Sequence, residues 1–459
     1  MIEEALARHD LLAIRTYKRQ LPSPDLSHIP SELGIPFAGQ FFQFLTNAHK
    51  HVNKMAERNG PVFRLRSFHL VNVFLLGPEA NRLVLKNEDK TFSNHIAWNS
   101  LFRDVFDNNI LERDFSSHKY HRKILQLAFK RNAIAGYTDT LNNELETGIK
   151  SWQTGSYIKL MPLVKDLLLS AGSKVFLGVG TGQQADKLNQ AFVDMVASTA
   201  DPFRKNIPFT PYAKGVKGRE TLSTFVFDNI GKKRRVESSD IFSKICHLTD
   251  DDGNLFSDED IRDHINFLLF AAHDTTTSTL SSILYLLAAH PDWQERLRQE
   301  ILDLNKDQVT IEDTESMEQA ALVFKESIRM YPALCFFFRH SLKPFEVNGV
   351  RIPANTPVAI SPLYTHYMEE YWSNPYQFDP ERFSPDRAED KKDFYQYIPF
   401  SGGAHKCLGL HFAEIQVKVF LFHLLKNYRV TKKPGSKYQY NNVPLTFPSN
   451  GLPLMLHKL

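Results

Sequence analysis

The chain has 459 residues, 42% of them hydrophobic and 23% charged, and a formal net charge of +3. This is a globular composition close to charge balance, without the dense basic stripe of a nucleic-acid binder. Length alone allows about three average domains, yet no stretch has the composition of a linker, and a large helical enzyme can fill this length as one unit with a deep, dry cavity.

The three cysteines, Cys246, Cys335 and Cys407, form neither CxxC nor CxxCH. An odd, sparse set is a poor disulfide framework and fits a reducing compartment, so a cytoplasmic protein is expected. The N-terminus, MIEEALARHDLLAIRTYKRQ, is dotted with charge, and no run of about 18 uncharged apolar residues occurs elsewhere, so no membrane anchor is expected. Phe fills 35 positions, which suits an apolar interior or an apolar ligand.

The first 60 residues are Pro-punctuated and lead into an alternating stretch at 61–77 that predicts two short strands ending at Gly77. From about 116 to about 300 the patterns are mostly helical. Within 116–130, His118 and Arg122 are four apart and share a helical face. The acidic stretch LTDDDGNLFSDED fails as a calcium loop: Gly253 at loop position six would put Leu248 where a carboxylate is required. It reads as a solvated loop. A long helix then starts at Ser257, with Asp260 three residues on as in a capping box, and stops before Pro291. Its middle, 267–272, is apolar on every side and predicts a helix crossing the protein's centre.

A shorter helix around 316–330 carries Glu326 and Arg329 on one face, and Pro380-Glu381-Arg382-Phe383 follows among Pro-rich turns. A final helix begins just after Cys407 and runs to about 426, before a turn at 448–454. Helix dominates, with a minor sheet component.

Cys407 sits between a Gly-rich loop and a helix N-terminus. Unsatisfied N–H groups and the helix dipole there favour a thiolate, and Gly402, Gly403 and Gly409 remove side chains where a flat ligand would press on the backbone. Zinc held by His405, Cys407 and His411 lacks a fourth ligand and the usual spacings. Asp274 and Thr275, in Ala271-Ala272-His273-Asp274-Thr275-Thr276, are costly inside an apolar helix unless hydrogen-bonded. Either the hydroxyls bond back one turn, or an acid and an alcohol stand ready to deliver protons.

Phe400, Gly403, His405, Cys407 and Gly409 fit F-x-x-G-x-H-x-C-x-G, which resembles the haem-binding loop of the cytochrome P450 family; Ala413 and Glu414 match what usually follows. Residues 271–276 resemble the family's small–Gly–x–acid–Thr–Thr pattern, with Ala272 where Gly is usual, and Glu326/Arg329 and 380–383 match its ExxR and PERF elements. The resemblance spans nearly the whole chain and implies one mainly helical domain, 1–459, with a small β component and no fused reductase or ferredoxin module.

It further implies that Cys407 is the axial ligand of haem b, where thiolate ligation favours O–O cleavage. Phe400 would pack under the sulfur. His118, Arg122, Arg339 and His405 would hold the propionates, while Glu326, Arg329 and Arg382 would fix the loop behind the haem. Asp274 and Thr275 would be the acid–alcohol pair supplying protons for dioxygen reduction; His273 is given no role and is expected to face away. The pocket would draw on 95–102, 192–209, the long helix, 334–338 and 450–452, with Trp98, Ala271, Leu334, Phe336, Phe337 and Leu452 as candidate contacts for a hydrophobic small molecule.

The implied reaction is monooxygenation, with electrons from a separate ferredoxin- or flavodoxin-like protein and its reductase, docking near Lys119, Lys123 and Lys406 on a monomeric enzyme. Two other readings stay open: a peroxide-driven peroxygenase or hydroperoxide isomerase, and a non-catalytic haem module that binds a ligand. The retained Asp274–Thr275 pair weighs against both.

Overall fold

The computed structural model describes residues 2–459 other than Leu21, Leu33, Phe37, Phe68, His69, Pro202 and Phe203, and the side chains of all of these but Arg19, Gln20, Phe41, Leu45, Thr46 and Ser67. Phe68 and His69, between the two expected strands, and Pro202 and Phe203, within the expected pocket segment 192–209, therefore lie outside the described residues.

The long helix spans Asp258–Ala289, 32 residues, or roughly 48 Å at the helical rise. Ser257 caps it by accepting the Asp260 N–H at 3.0 Å and donating its own hydroxyl to the Asp260 carboxylate at 2.8 Å. Its last turn closes with the His290 N–H on the Leu286 carbonyl, and Pro291 opens the next helix, Pro291–Asp303. Most of the long helix is buried on all sides, the condition for an element that passes through a core. Helices Arg131–Lys150, Leu160–Gly172, Glu318–Met330 and Leu410–Asn427 share with it one continuous apolar cluster.

A six-stranded mixed sheet lies beside this core, in the order Ser31–Glu32, Val62–Ser67, Leu70–Leu75, Pro357–Ile360, Phe337–Ser341, Phe92–Ser93. The expected hairpin is its second and third strands, paired antiparallel with Phe63 opposite Phe74 and Leu65 opposite Asn72. A smaller sheet joins Tyr428–Lys432, Pro453–Lys458 and Tyr157–Lys159. The Pro-punctuated start also holds a helix, Phe41–Asn59, which the sequence reading passes over. Beyond a break at Asn47 its buried Ala48, Val52 and Met55 follow a helical period, and with Phe44 they pack against the hairpin.

One described helix, with its leading turn at Gly403–Asn427, is long and apolar enough to cross a membrane. It is the helix behind Cys407, and its buried face belongs to the core.

Candidate active site

The loop leading to Cys407 is built around one close backbone approach. Gly403 has φ +61°, and a Cβ there would stand 1.8 Å from the Leu85 carbonyl oxygen. No side chain fits that position on either count. The Cys407 N–H donates to the Phe400 carbonyl at 3.0 Å, and the helix Leu410–Asn427 begins immediately beyond Gly409. Burial pushes the Cys407 thiol above its usual range, while the Gly409 N–H, Arg122 and Lys406 pull the other way. The sulfur has accessible surface because it faces an internal cavity, though it lies deep in the protein. Gly409 also lines that cavity, and a Cβ on it would meet no protein atom within 4 Å. Protein packing does not demand a glycine there, whereas a flat group pressed on the loop would.

Four basic side chains converge on one flank of the cavity. His118 and Arg122 project from the helix Phe115–Leu125, Arg339 from the strand Phe337–Ser341, and His405 from the Cys407 loop. The His118 and His405 rings lie 3.8 Å apart. The nearby carboxylate is Asp114, 4.0 Å from His405 and already bonded by the Ser93 hydroxyl and the Asn94 and His95 N–H groups. Burial pushes the Asp114 carboxyl up to about 6 despite those bonds. Arg339 donates to the Phe338 carbonyl, and burial lowers it to about 10 although Asp114 opposes this. Burial, Arg122 and Arg339 together hold His118 down at about 3. Arg122 makes no side-chain hydrogen bond or ion pair among the described residues.

Such a cluster is costly as it stands, since the Arg122 and Arg339 guanidiniums want an anion while burial disfavours charge on the two imidazoles. A cofactor carrying two carboxylates, with a metal to meet the Cys407 sulfur, answers both demands. The residues present therefore fit haem b.

The same cavity is also lined by Ala271, Ala272, Asp274, Thr275, Thr276 and Thr279 of the long helix. The Thr275 hydroxyl donates to the Ala271 carbonyl at 2.7 Å, and Thr277 and Thr279 bond back one turn in the same way. The Thr275 hydroxyl thus satisfies a helix carbonyl one turn back, and the residue also lines the cavity. Asp274 Oδ1 lies 2.9 Å from Lys165 Nζ and 3.1 Å from His273 Nδ1. Burial opposes the charged form of Asp274, but His273 and Lys165 outweigh it and hold the carboxyl below its usual range.

His273 is absent from the cavity wall, yet it is not idle. Its Nε2 meets the Lys165 carbonyl at 2.9 Å, which sets the ring against Asp274. Lys165 itself escaped the sequence reading.

Behind the loop, Glu326, Arg329 and Arg382 are fully buried and joined. Arg329 reaches Glu326 through Nε at 2.6 Å and Nη2 at 2.9 Å, and Arg382 Nε reaches the same carboxylate at 3.1 Å. Arg329 also donates to the His366 and Pro375 carbonyls. Glu389, which the sequence did not single out, takes the outer side of Arg382 at 2.9 Å. Burial works against the Glu389 carboxylate, but Ser373, Arg387 and Arg382 overcome it and hold its pKa at about 2.

The cavity has a volume of about 670 Å³. Trp98, Ala271, Leu334, Phe336 and Phe337 all line it, and Val196, Ala197, Thr199 and Ala200 come from the expected 192–209 segment. Leu452 does not. It directly precedes the C-terminal strand Pro453–Lys458, at φ +57°, and is buried in the main core with Leu454 and Leu456 rather than at the cavity. The segment that meets the cavity from the C-terminal region lies earlier, at Val443, Pro444, Leu445 and Phe447.

A family model described as Cytochrome P450 matches residues 29–452. A Mycobacterium tuberculosis chain carrying the name cytochrome P450 136 is 32% identical, over 98% of this chain and 94% of its own. Taxane 10-beta-hydroxylase of Taxus cuspidata is 28% identical, over 93% of this chain and 89% of its own length. Among solved structures, retinoic acid-bound cyanobacterial CYP120A1 superposes with a TM-score of 0.84 at 26% identity, covering 94% of this chain and 99% of that one. The chain thus belongs to the cytochrome P450 family, the haem-thiolate monooxygenases that hold haem b through a cysteine.

Proposed function

We infer that this monooxygenase hydroxylates a bulky, largely apolar small molecule held between the Cys407 loop and the long helix. The observation that carries this reading is one apolar cavity lined both by Cys407 and, from the long helix, by Asp274 and Thr275. The names of the neighbours, retinoic acid bound in one and taxane hydroxylation in another, support a large apolar substrate.

When bound, the haem supplies the dioxygen activation that no amino-acid side chain can perform. The protein's part is narrower. Cys407 is the thiolate ligand; Arg122, Arg339, His118 and His405 hold the propionates. Glu326, Arg329 and Arg382 keep the loop from shifting. Asp274 holds a proton path at its carboxyl, steadied by Lys165 and His273, and the Thr275 hydroxyl hands protons on at the cavity wall. Trp98, Leu334, Phe336, Phe337 and Ala271 orient the substrate and exclude water.

Electrons come from a separate ferredoxin- or flavodoxin-like carrier and its reductase. Three free cysteines suit a reducing compartment such as the cytoplasm, with the enzyme acting as a monomer.

The reduced protein under carbon monoxide should show a Soret band strongly shifted to the red, the mark of a thiolate ligand, and Cys407→Ser should abolish it. A band at the histidine-ligated position in the wild-type protein would overturn the assignment of Cys407. Thr275→Ala should keep the band, consume reductant and release peroxide in place of product. A protein driven by peroxide alone, with no response to an electron donor, would instead be a peroxygenase.

A further inference from the structure

The cavity has a second polar end, remote from the cluster around Arg339. It reaches the hairpin Val62–Ser67 and Leu70–Leu75, where Phe44, Leu65 and Phe74 supply apolar wall and Arg66 and Asn72 the polar groups. Sheet order separates Arg66's strand from Arg339's by three strand spacings, roughly 14 Å. Arg66 is therefore not a member of the propionate group.

Its hydrogen bonds are incomplete. Nη2 donates to the Ile35 carbonyl at 3.2 Å, while Nε is buried with no acceptor among the described residues. Arg66 makes no ion pair among the described residues, and none of the undescribed residues is an acid. A guanidinium offers five N–H donors in a planar fork that matches a carboxylate, and one backbone bond leaves most of that fork unused. The Asn72 carboxamide also has no hydrogen-bond partner among the described residues. Around them the wall is aromatic: Phe44 and Phe74 stack at 5.6 Å, and Phe336 packs edge-on to both at 5.2 and 5.5 Å. An apolar surround strengthens any charge pairing made there.

We propose that the substrate is an amphipathic carboxylic acid, an apolar chain or ring system whose carboxylate is bound by Arg66 with a second hydrogen bond from Asn72. The apolar body lies along Phe74, Phe336 and Leu334 and brings its far end to Asp274 and Thr275. This rests on the reading of the cavity as the substrate site. Selection is by charge, since an alcohol or ester of the same shape leaves the Arg66 fork unpaired. The bond to Ile35 alone would make Arg66 a brace for the loop before the hairpin, and a brace would not distinguish an acid from its alcohol.

The test uses the holoprotein and two matched pairs, retinoic acid with retinol and palmitic acid with hexadecanol, followed through the haem's spin-state change on binding. In at least one pair the acid should bind about tenfold or more tightly than its alcohol. Arg66→Gln should erase that preference by weakening the acid while leaving the alcohol within about twofold, and Arg66→Lys should restore part of it. The carbon monoxide band of each variant must match the wild type. Equal binding of acid and alcohol in the wild type, or equal weakening of both by Arg66→Gln, overturns the carboxylate assignment and leaves the apolar-substrate reading intact. If no member of either pair binds while the thiolate band is present, the apolar-substrate reading fails and the Arg66 assignment fails with it.

Discussion

Asp274 is a carboxyl that burial would keep neutral and that two neighbours keep charged. Lys165 lies 2.9 Å from it and remains about one-third exposed, so it links a buried acid to solvent. Removing that cation should raise the Asp274 pKa. In Lys165→Met the acidic limb of the pH–turnover profile is expected to move to higher pH, with Asp274→Asn losing the limb altogether; an unmoved limb would show that Lys165 does not set the acid's charge. Gly403 supplies a second prediction. Both its positive φ and the Leu85 carbonyl forbid a side chain, so Gly403→Ala should displace the Cys407 loop and yield protein with little bound haem, read as the ratio of Soret to protein absorbance. These two sites differ in how far the sequence reveals them. Gly403 stands four residues from Cys407 in a local motif. The Lys165 backbone that positions His273 is 108 residues away, and helical periodicity in one segment does not say which lysine of another will reach it.

At the scale of elements, the helix Glu318–Met330 is anchored to the turns that follow it by buried charge. The i, i+3 spacing made the Glu326–Arg329 pair legible, because three residues on one helix must share a face. Glu389 was not legible, since it follows a Pro-rich run with no periodicity to place it. It nonetheless closes the network, holding Arg382, Arg387 and Ser373 together. Its carboxylate is favoured in the folded protein, so its stabilisation is present above the ordinary Glu pKa and is lost as pH falls toward about 2. Glu389→Gln should therefore lower the urea midpoint at pH 7, and the gap from wild type should narrow steadily below pH about 4.5. The long helix supports a further prediction. Ala272 occupies the cavity wall where the family pattern has Gly. Ala272→Gly should cost about 1 kcal/mol as a helix-interior glycine, while widening the groove beside Thr275. A lower melting temperature with an unchanged carbon monoxide band would match that account.

The whole molecule decides where an electron carrier can approach. Gly403, Ala404 and Lys406 of the Cys407 loop are exposed, and the lysines proposed to steer a partner differ in their freedom. Lys119 and Lys406 are exposed and make no ion pair among the described residues, and Lys406 directly precedes the ligand cysteine. Lys123 is paired with Asp251, and Tyr120 on the same helix donates to Asp250. The acidic stretch that the sequence marks as a solvated loop is thus fastened across that helix, an arrangement between segments well over a hundred residues apart that no local pattern predicts. An acidic carrier meeting this face would be drawn chiefly by the two unpaired lysines, and attraction between exposed charges fades as salt shortens its range. Lys119→Glu and Lys406→Glu should each slow reduction of the haem by an acidic ferredoxin at low ionic strength. Lys123→Glu should act less per charge changed, since the wild-type ammonium is already paired with Asp251. Stopped-flow reduction across a salt series checks this: the variants should converge on the wild-type rate as salt rises. A larger effect from Lys123 than from Lys406, or an effect unchanged by salt, would place the docking face elsewhere.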